Sequence, residues 1–345
     1  MNTFVIIKIL FLAMLAAAVA VAWTPLLTHF LYKYSLGKSI RNAGATPIFS
    51  RLHERKKNTP TMGGLIVWVT VLLLALLFFY AARFIGGDFF TSLNFLSRGQ
   101  TLLPLGCLVA AALVGLFDDI LDVRSQGKGG LRMQHRIIIY TLIALFGALW
   151  FFYKLDWDLL HLPFLGNFEI GLWYIPVFMF IIVATAFSVN EIDGLDGLAG
   201  GTLLTAFASY GVIAFAQARY DLAAFCAVII GALTAFLWFN IKPARFIMGD
   251  TGAMSLGITL GVIAMLTNQA MLLPVIGFLF VVESLSVIVQ VMSKKLRGEK
   301  KVFLSAPIHH HLEAIGWPEE KIVMRFWLIS GVTSVIGLII FLLDK

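Results

Sequence analysis

Ser188-Val189-Asn190-Glu191-Ile192-Asp193-Gly194-Leu195-Asp196-Gly197-Leu198-Ala199-Gly200-Gly201 lies between two long apolar runs, at 173–189 and 198–216. Three carboxylates and an amide sit there against hydrocarbon. Charges in such a place are costly, so acids gathered at a membrane boundary point to binding or reaction. Asp193 and Asp196 share a face if the segment is helical. The glycines leave its backbone open to close approach by a ligand. A polar hairpin that only turns the chain is the plain alternative, and further polar islands on the same side of the membrane argue against it.

Working outward, the composition sets the class. Of 345 residues 60% are hydrophobic and 13% charged, and 30 are Phe. A soluble domain needs far more polar surface, so the chain reads as an all-α polytopic integral membrane protein. Cys107 and Cys226 both lie in apolar runs, which excludes a disulfide framework or thiolate metal site. Residues 1–27 have some character of a signal peptide, since Ala20-Val21-Ala22 precedes Trp23. The apolar stretch is too long for one, and they read as a first, uncleaved span.

Apolar runs able to cross a bilayer lie at 4–29, 64–83, 102–117, 136–152, 173–190, 198–216, 222–239, 253–267, 270–293 and 324–342. About ten transmembrane helices are expected, in one domain over 1–345. Most of the 26 Lys plus Arg fall in the loops after the first, third, seventh and ninth runs. The positive-inside rule makes those loops cytoplasmic and both termini extracytoplasmic. With the charge so distributed, membrane lipid is an expected partner and nucleic acid is not. The outer connections 84–101 and 153–172 read as plain spacers, although the second carries Asp156, Asp158, His161 and Glu169.

Four more polar islands share the cytoplasmic side. Arg55-Lys56-Lys57-Asn58-Thr59-Pro60-Thr61-Met62-Gly63-Gly64 leads into the second run and suits a phosphate, or else anchors anionic lipid. Phe117-Asp118-Asp119-Ile120-Leu121-Asp122-Val123-Arg124 ends the third run. Its adjacent aspartates point roughly 100° apart on a helix, so they cannot duplicate each other. Asn240-Ile241-Lys242-Pro243-Ala244-Arg245-Phe246-Ile247-Met248-Gly249-Asp250-Thr251-Gly252 introduces the eighth run, with Asp250 either an N-cap or a metal ligand. Ser305-Ala306-Pro307-Ile308-His309-His310-His311-Leu312-Glu313 carries three histidines whose side chains diverge, so one or two hydrogen-bonding a phosphate is more natural than a shared metal. Glu283, inside the ninth run, points into the bundle and reads as structural. Carboxylates surrounded by cations are what a Mg²⁺-bound diphosphate requires, which suggests phosphoryl transfer at a membrane surface.

These motifs, in this order, resemble those of bacterial phospho-N-acetylmuramoyl-pentapeptide transferases. The Asp118-Asp119 and Asp193-Gly194-Leu195-Asp196 motifs are shared with polyprenyl-phosphate sugar-1-phosphate transferases at large. Thr59-Pro60-Thr61-Met62-Gly63-Gly64 and the triple histidine point to the muramoyl-pentapeptide branch. The resemblance implies that UDP-N-acetylmuramoyl-pentapeptide and undecaprenyl phosphate give lipid I and UMP, with Mg²⁺, in a cytoplasmic catalytic cleft and often in a homodimer. It implies Asp250 as the Mg²⁺ ligand and Asp118 as the acid that readies the lipid phosphate. Asp119, His309 and His310 would support the phosphates, and the block of histidines extends to His311. Asn190, Asp193, Gly194, Leu195 and Asp196 would line the nucleoside pocket, with Lys56, Thr61, Asn240 and Gln290 contributing. A groove beside a long, bent ninth helix would take the prenyl chain.

The chain departs from the family pattern in places. Asp122 stands where a Lys is usual, which leaves Arg132, His135 or Arg136 to supply that cation, unless it is absent. Ile247 stands where a Phe would stack on uracil, beside Phe246. Two other readings are kept: an N-acetylglucosamine-1-phosphate transferase for another polymer, and an ion-coupled transporter, which would carry its acids at mid-membrane depth. Direct attack by the lipid phosphate and a two-step route through an aspartate are both compatible with these residues.

Overall fold

The computed structural model describes residues 3–34, 36–37, 59–125 and 130–344. Lys56 lies outside the described residues. The fold is mostly helical. Among the described residues nine helices are long and apolar enough to cross a membrane, or ten if one bent pair counts as a span. They are α1 (Thr3–Lys33), α2 (Leu65–Phe84), α3 (Leu102–Arg124), α4 (Met133–Lys154), α5 (Tyr174–Ile192), α6 (Leu198–Ala216), α7 (Tyr220–Asn240) and α8 (Gly249–Leu266), then the bent pair and the last helix. The pair is Ala270–Ile276 with α9 (Phe278–Leu296), bent by 81°. The break falls at Gly277, a usual kind of place for a sharp kink. A short α10 (Ile308–Ala314) follows, and α11 (Glu319–Leu343) closes the bundle. The expected ten apolar runs thus recur, most of them within a few residues of their expected limits, although the third runs on to Arg124 instead of ending at 117.

Helix α8 is the centre of the molecule, and every one of its residues is buried. Its sequence explains this: Gly252, Gly257 and Gly261 recur along it, and small residues let helix backbones approach closely without a hydrophobic drive. A Cβ built on Gly64, just before α2, would lie 2.2 Å from the Gly252 Cα. One on Gly115 of α3 would lie 2.4 Å from the Asp250 carbonyl oxygen. Two hydroxyls of α8 are satisfied within it, Ser255 donating to the Thr251 carbonyl at 2.6 Å and Thr259 to that of Ser255 at 2.7 Å, while Thr251 donates across to the Ala112 carbonyl of α3 at 2.9 Å. Helices α3 and α5 pack on α8, α6 packs on α7, and α1 lies outside α7. The strand-like segment before α2 is stitched to the start of α8. Ile247 N–H donates to the Pro60 carbonyl, Gly63 N–H to Ile247 and Gly64 N–H to Met248, each at 2.8 Å. The N-termini of α2 and α8 are therefore fixed side by side, both at the end where α3 finishes.

The connection 153–172 is more than a spacer. It holds a two-stranded antiparallel hairpin, β1 (Leu159–Leu162) with β2 (Gly166–Glu169), in the register Leu160 opposite Phe168. The all-α reading omitted it because four-residue strands carry almost no periodic signal. The hairpin is pinned at both sides. His161 bonds the Asp344 carboxylate with Nε2, Phe164 N–H donates to Asp344 at 2.6 Å, and His161 N–H donates to Asn268 at 3.1 Å.

Candidate active site

The acids at the end of α3 point in different directions, as their 100° separation requires. Asp119 accepts from the Asp250 N–H at 3.1 Å and the Thr251 N–H at 3.0 Å, and from the Thr61 hydroxyl at 3.1 Å. The first N–H groups of a helix have no internal partner. Met248, the residue ahead of α8, offers no side-chain cap, and Asp119 caps that helix from another element. The unfavourable placing of an acid at the C-terminal end of α3 is thereby offset by the positive end of α8.

Asp118 turns to Arg136 of α4, with Oδ2 2.8 Å from the Arg136 Nε. The two atoms are in ionic contact without the alignment of a hydrogen bond. The same guanidinium holds Asp250: Nη1 donates to Oδ1 at 3.0 Å and Nη2 to Oδ2 at 2.9 Å. Such fork-on-carboxylate pairing is the strong form of this contact. Asn190, near the end of α5, donates to Asp250 Oδ1 at 2.6 Å and accepts from Arg136 at 3.2 Å. Asp118, Asp250 and Arg136 are all buried. Of Arg132, His135 and Arg136, it is Arg136 that the structure places among the carboxylates.

The Asp193 carboxylate accepts from the Gly249 N–H at 3.2 Å, which joins the acidic turn after α5 to the start of α8. Gly194 carries that turn against the histidines: a Cβ there would lie 2.1 Å from the His309 Nε2. A chain of direct contacts therefore runs Asp118–Arg136–Asp250, through Gly249 to Asp193, and on by Gly194 to His309. These residues come from separate stretches and meet at one end of the bundle.

The other candidates frame this centre. Asp196 accepts from the Ala244 N–H at 3.1 Å, and its own N–H donates to Glu319 at 2.9 Å. Asn240 accepts from the Gly197 N–H at 2.9 Å and donates to the Phe246 carbonyl at 2.8 Å, clamping two loops together. Leu195 is buried in the core. Gln290 makes its contacts with the 302–303 backbone, accepting from Val302 and Phe303 at 3.0 Å and donating to the Phe303 carbonyl at 2.9 Å. His311 accepts from the Leu304 N–H at 3.2 Å. Gln290 and His311 thus hold the loop that leads into α10 and are not joined to the carboxylates by these bonds. Phe246 packs in the core against Phe236 and Phe239, while Ile247 is half-buried.

Four acids were not singled out as site residues by the sequence. Glu283 and Glu313 bond the Nδ1 atoms of His309 and His310, at 2.9 and 2.7 Å. The spacing of Glu313 three residues after His310 was the available signal. Glu319, with Glu320, pairs with Lys242 at 3.2 and 2.9 Å. Burial works against the Lys242 charge, but these two partners outweigh it and hold its pKa above the ordinary lysine value.

Among the described residues no three His, Cys, Asp or Glu side chains form a ready-made metal cage. Mg²⁺ does not need one, because it takes one or two carboxylates and completes its shell with phosphate oxygens and water. Asp118 and Asp250 suit that ion. Both are oxygen-only donors, both are buried, and both already converge on a single positive group.

A model of glycosyl transferase family 4 matches residues 101–268, and one of phospho-N-acetylmuramoyl-pentapeptide-transferase signature 1 matches residues 56–66. The phospho-N-acetylmuramoyl-pentapeptide-transferase of Chloroflexus aggregans is 40% identical over 94% of this chain and 88% of its own length. The enzyme of that name from Geobacillus thermodenitrificans is 36% identical over 93% of this chain and 94% of its own. That from Listeria monocytogenes is 37% identical over the same shares, 93% and 94%. Identity spread over nearly the full length, with the signature in its place before α2, settles the kinship: this multi-pass membrane protein belongs to the phospho-N-acetylmuramoyl-pentapeptide-transferase family.

Proposed function

We propose that the chain transfers phospho-N-acetylmuramoyl-pentapeptide from its UDP donor to undecaprenyl phosphate, giving lipid I and UMP for peptidoglycan synthesis. A phosphate oxygen of the lipid forms a bond to the β-phosphorus of the donor. The bond from that phosphorus to UMP breaks, and UMP leaves with the electron pair. Such a transfer asks for positioning and charge neutralisation more than for covalent chemistry. The observation that carries the reading is the buried Asp118–Arg136–Asp250 arrangement beside Asn190, at the end of three packed helices.

Asp250 and Asp118 would hold Mg²⁺, which when bound neutralises charge on the donor diphosphate. In this reading Asp118 faces the lipid phosphate, and Arg136 takes the place of the family lysine. Asp119 acts through Asp250, because it fixes the first turn of α8. Asn190, Asp193, Gly194 and Asp196 border the nucleoside side, with His309 and His310 beside the phosphates. The exposed apolar side chains of α9, among them Leu285, Ile288, Val289 and Met292, offer a surface for the prenyl chain. The loop Lys and Arg support a site that faces the cytoplasm, with both termini outside.

Purified protein in a bilayer, given UDP-N-acetylmuramoyl-pentapeptide, undecaprenyl phosphate and Mg²⁺, is expected to release UMP and form a lipid-linked product. Omitting Mg²⁺ should stop both. Product from UDP-N-acetylglucosamine and none from the muramoyl donor would overturn the assignment.

A further inference from the structure

Glu283 lies in α9 with none of its surface exposed, and His309 in α10 is likewise 0% exposed. Glu283 Oε2 is 2.9 Å from the His309 Nδ1. The other ring nitrogen, Nε2, is buried and has no hydrogen-bond partner. It abuts the backbone of Gly194, one residue from Asp193, where a Cβ would come within 2.1 Å of it and within 3.1 Å of the His310 Nε2. His310 is held in the same way, its Nδ1 2.7 Å from Glu313. Two imidazoles therefore stand with Nδ1 on a carboxylate and Nε2 turned towards the acidic turn.

A polar atom buried without a partner is costly unless a ligand comes to satisfy it. An ionised carboxylate can only accept, so a glutamate at Nδ1 makes that nitrogen the donor and settles which nitrogen is left for the site. We infer that Glu283 is a positioning residue for the transfer. It fixes the ring plane and the Nδ1–H form of His309, so that the Nε2 lone pair accepts a hydrogen bond from a substrate O–H or N–H group beside Gly194. The inference rests on the transferase reading above and gives a task to a buried acid that the reading left idle.

The test is Glu283→Gln, which keeps the shape of the side chain, measured in the full-length protein in a bilayer. With the wrong or mixed ring form, kcat is expected to fall about a hundredfold while KM for the nucleotide donor stays within about twofold. The thermal midpoint should stay near that of the unsubstituted protein. Ring ¹⁵N spectra of histidine-labelled protein, with the His309 signals assigned through His309→Gln, should show a proton on Nδ1 that becomes unfixed in Glu283→Gln. Turnover at the original kcat, or lost turnover with an unchanged His309 spectrum, would overturn the inference. The spectrum of the unsubstituted protein is decisive even if the variant fails to fold, because an unprotonated Nδ1 contradicts the claim outright. Absence of lipid product from the unsubstituted protein would count against the proposed function instead.

Discussion

Asp119 accepts a hydrogen bond from the backbone N–H of Asp250 at 3.1 Å, so one acid of the pair on α3 holds the helix that presents the acid of α8. With the Thr251 N–H also bonded, Asp119→Ala leaves two helix-start donors without a partner in the core. A loss of about 1–3 kcal/mol is expected from such orphaned groups. Thermal unfolding in detergent should show the destabilisation, and transfer should fall with it. Asp119→Asn retains one acceptor oxygen and should fall between. An unchanged melting point for Asp119→Ala would contradict the capping role.

Arg136 is the cation shared by two buried carboxylates. Arg136→Gln removes it and leaves both acids uncompensated, an event that costs on the order of 3–5 kcal/mol in buried pairs. Arg136→Lys keeps the charge but cannot reproduce the fork on Asp250. Melting curves and UMP release are therefore expected in the order Arg, Lys, Gln. Equal behaviour of the lysine and glutamine variants would show that charge at this position is unimportant.

Phe246 and Ile247 divide two tasks that the sequence left undecided between them. Phe246 is wholly buried against Phe236 and Phe239, so Phe246→Ala should cost about 3–5 kcal/mol as a core cavity. Ile247, half-buried in the loop before α8, stands at the position where the family resemblance places a base-stacking aromatic. Ile247→Phe is expected to lower KM for the UDP donor by about fivefold, from a stacking gain near 1 kcal/mol. A raised KM would show that the base lies elsewhere.

The spans were legible because a bilayer imposes a length and a polarity on each crossing, and this chain obeys both. The polar islands were legible for the same reason: charge next to hydrocarbon stands out. What each island residue touches was not. Asp118 and Asp119 look alike in sequence, yet one meets an arginine of α4 and the other the backbone of α8, which depends on how three helices are rotated. Arg132, His135 and Arg136 were indistinguishable until α4 took its place. His311 sits in a site motif and Gln290 was expected to contribute, but both bond the 302–304 loop. Glu283 pointed inward as expected, while its histidine partner, 26 residues on, had no local signal. The hairpin at 159–169 rests on tertiary bonds to Asn268 and Asp344, which no window of sequence contains.

Those bonds give the hairpin a pH dependence. The His161 hydrogen bond, followed by that of the Phe164 N–H, outweighs the opposing effect of burial and holds the Asp344 pKa below its ordinary 3.8. A carboxylate with a depressed folded pKa contributes fully above its unfolded value, and the contribution is lost as pH falls through the folded value. Amide exchange over 159–169, corrected for intrinsic rates, should therefore be steady near neutrality and rise in acid below that value. Asp344→Asn should show weaker protection at neutral pH and less change with acid. A hairpin equally protected in both proteins would contradict the clasp.

The most direct test of the account is Mg²⁺-dependent UMP release by Asp250→Asn in a single turnover, with folding monitored alongside. Because Asn keeps the shape and an acceptor for Asn190 but gives up the charge shared with Asp118 around Arg136, release is expected to disappear in a protein that still folds. Release at the original rate from Asp250→Asn would contradict the claim that these buried carboxylates perform the transfer.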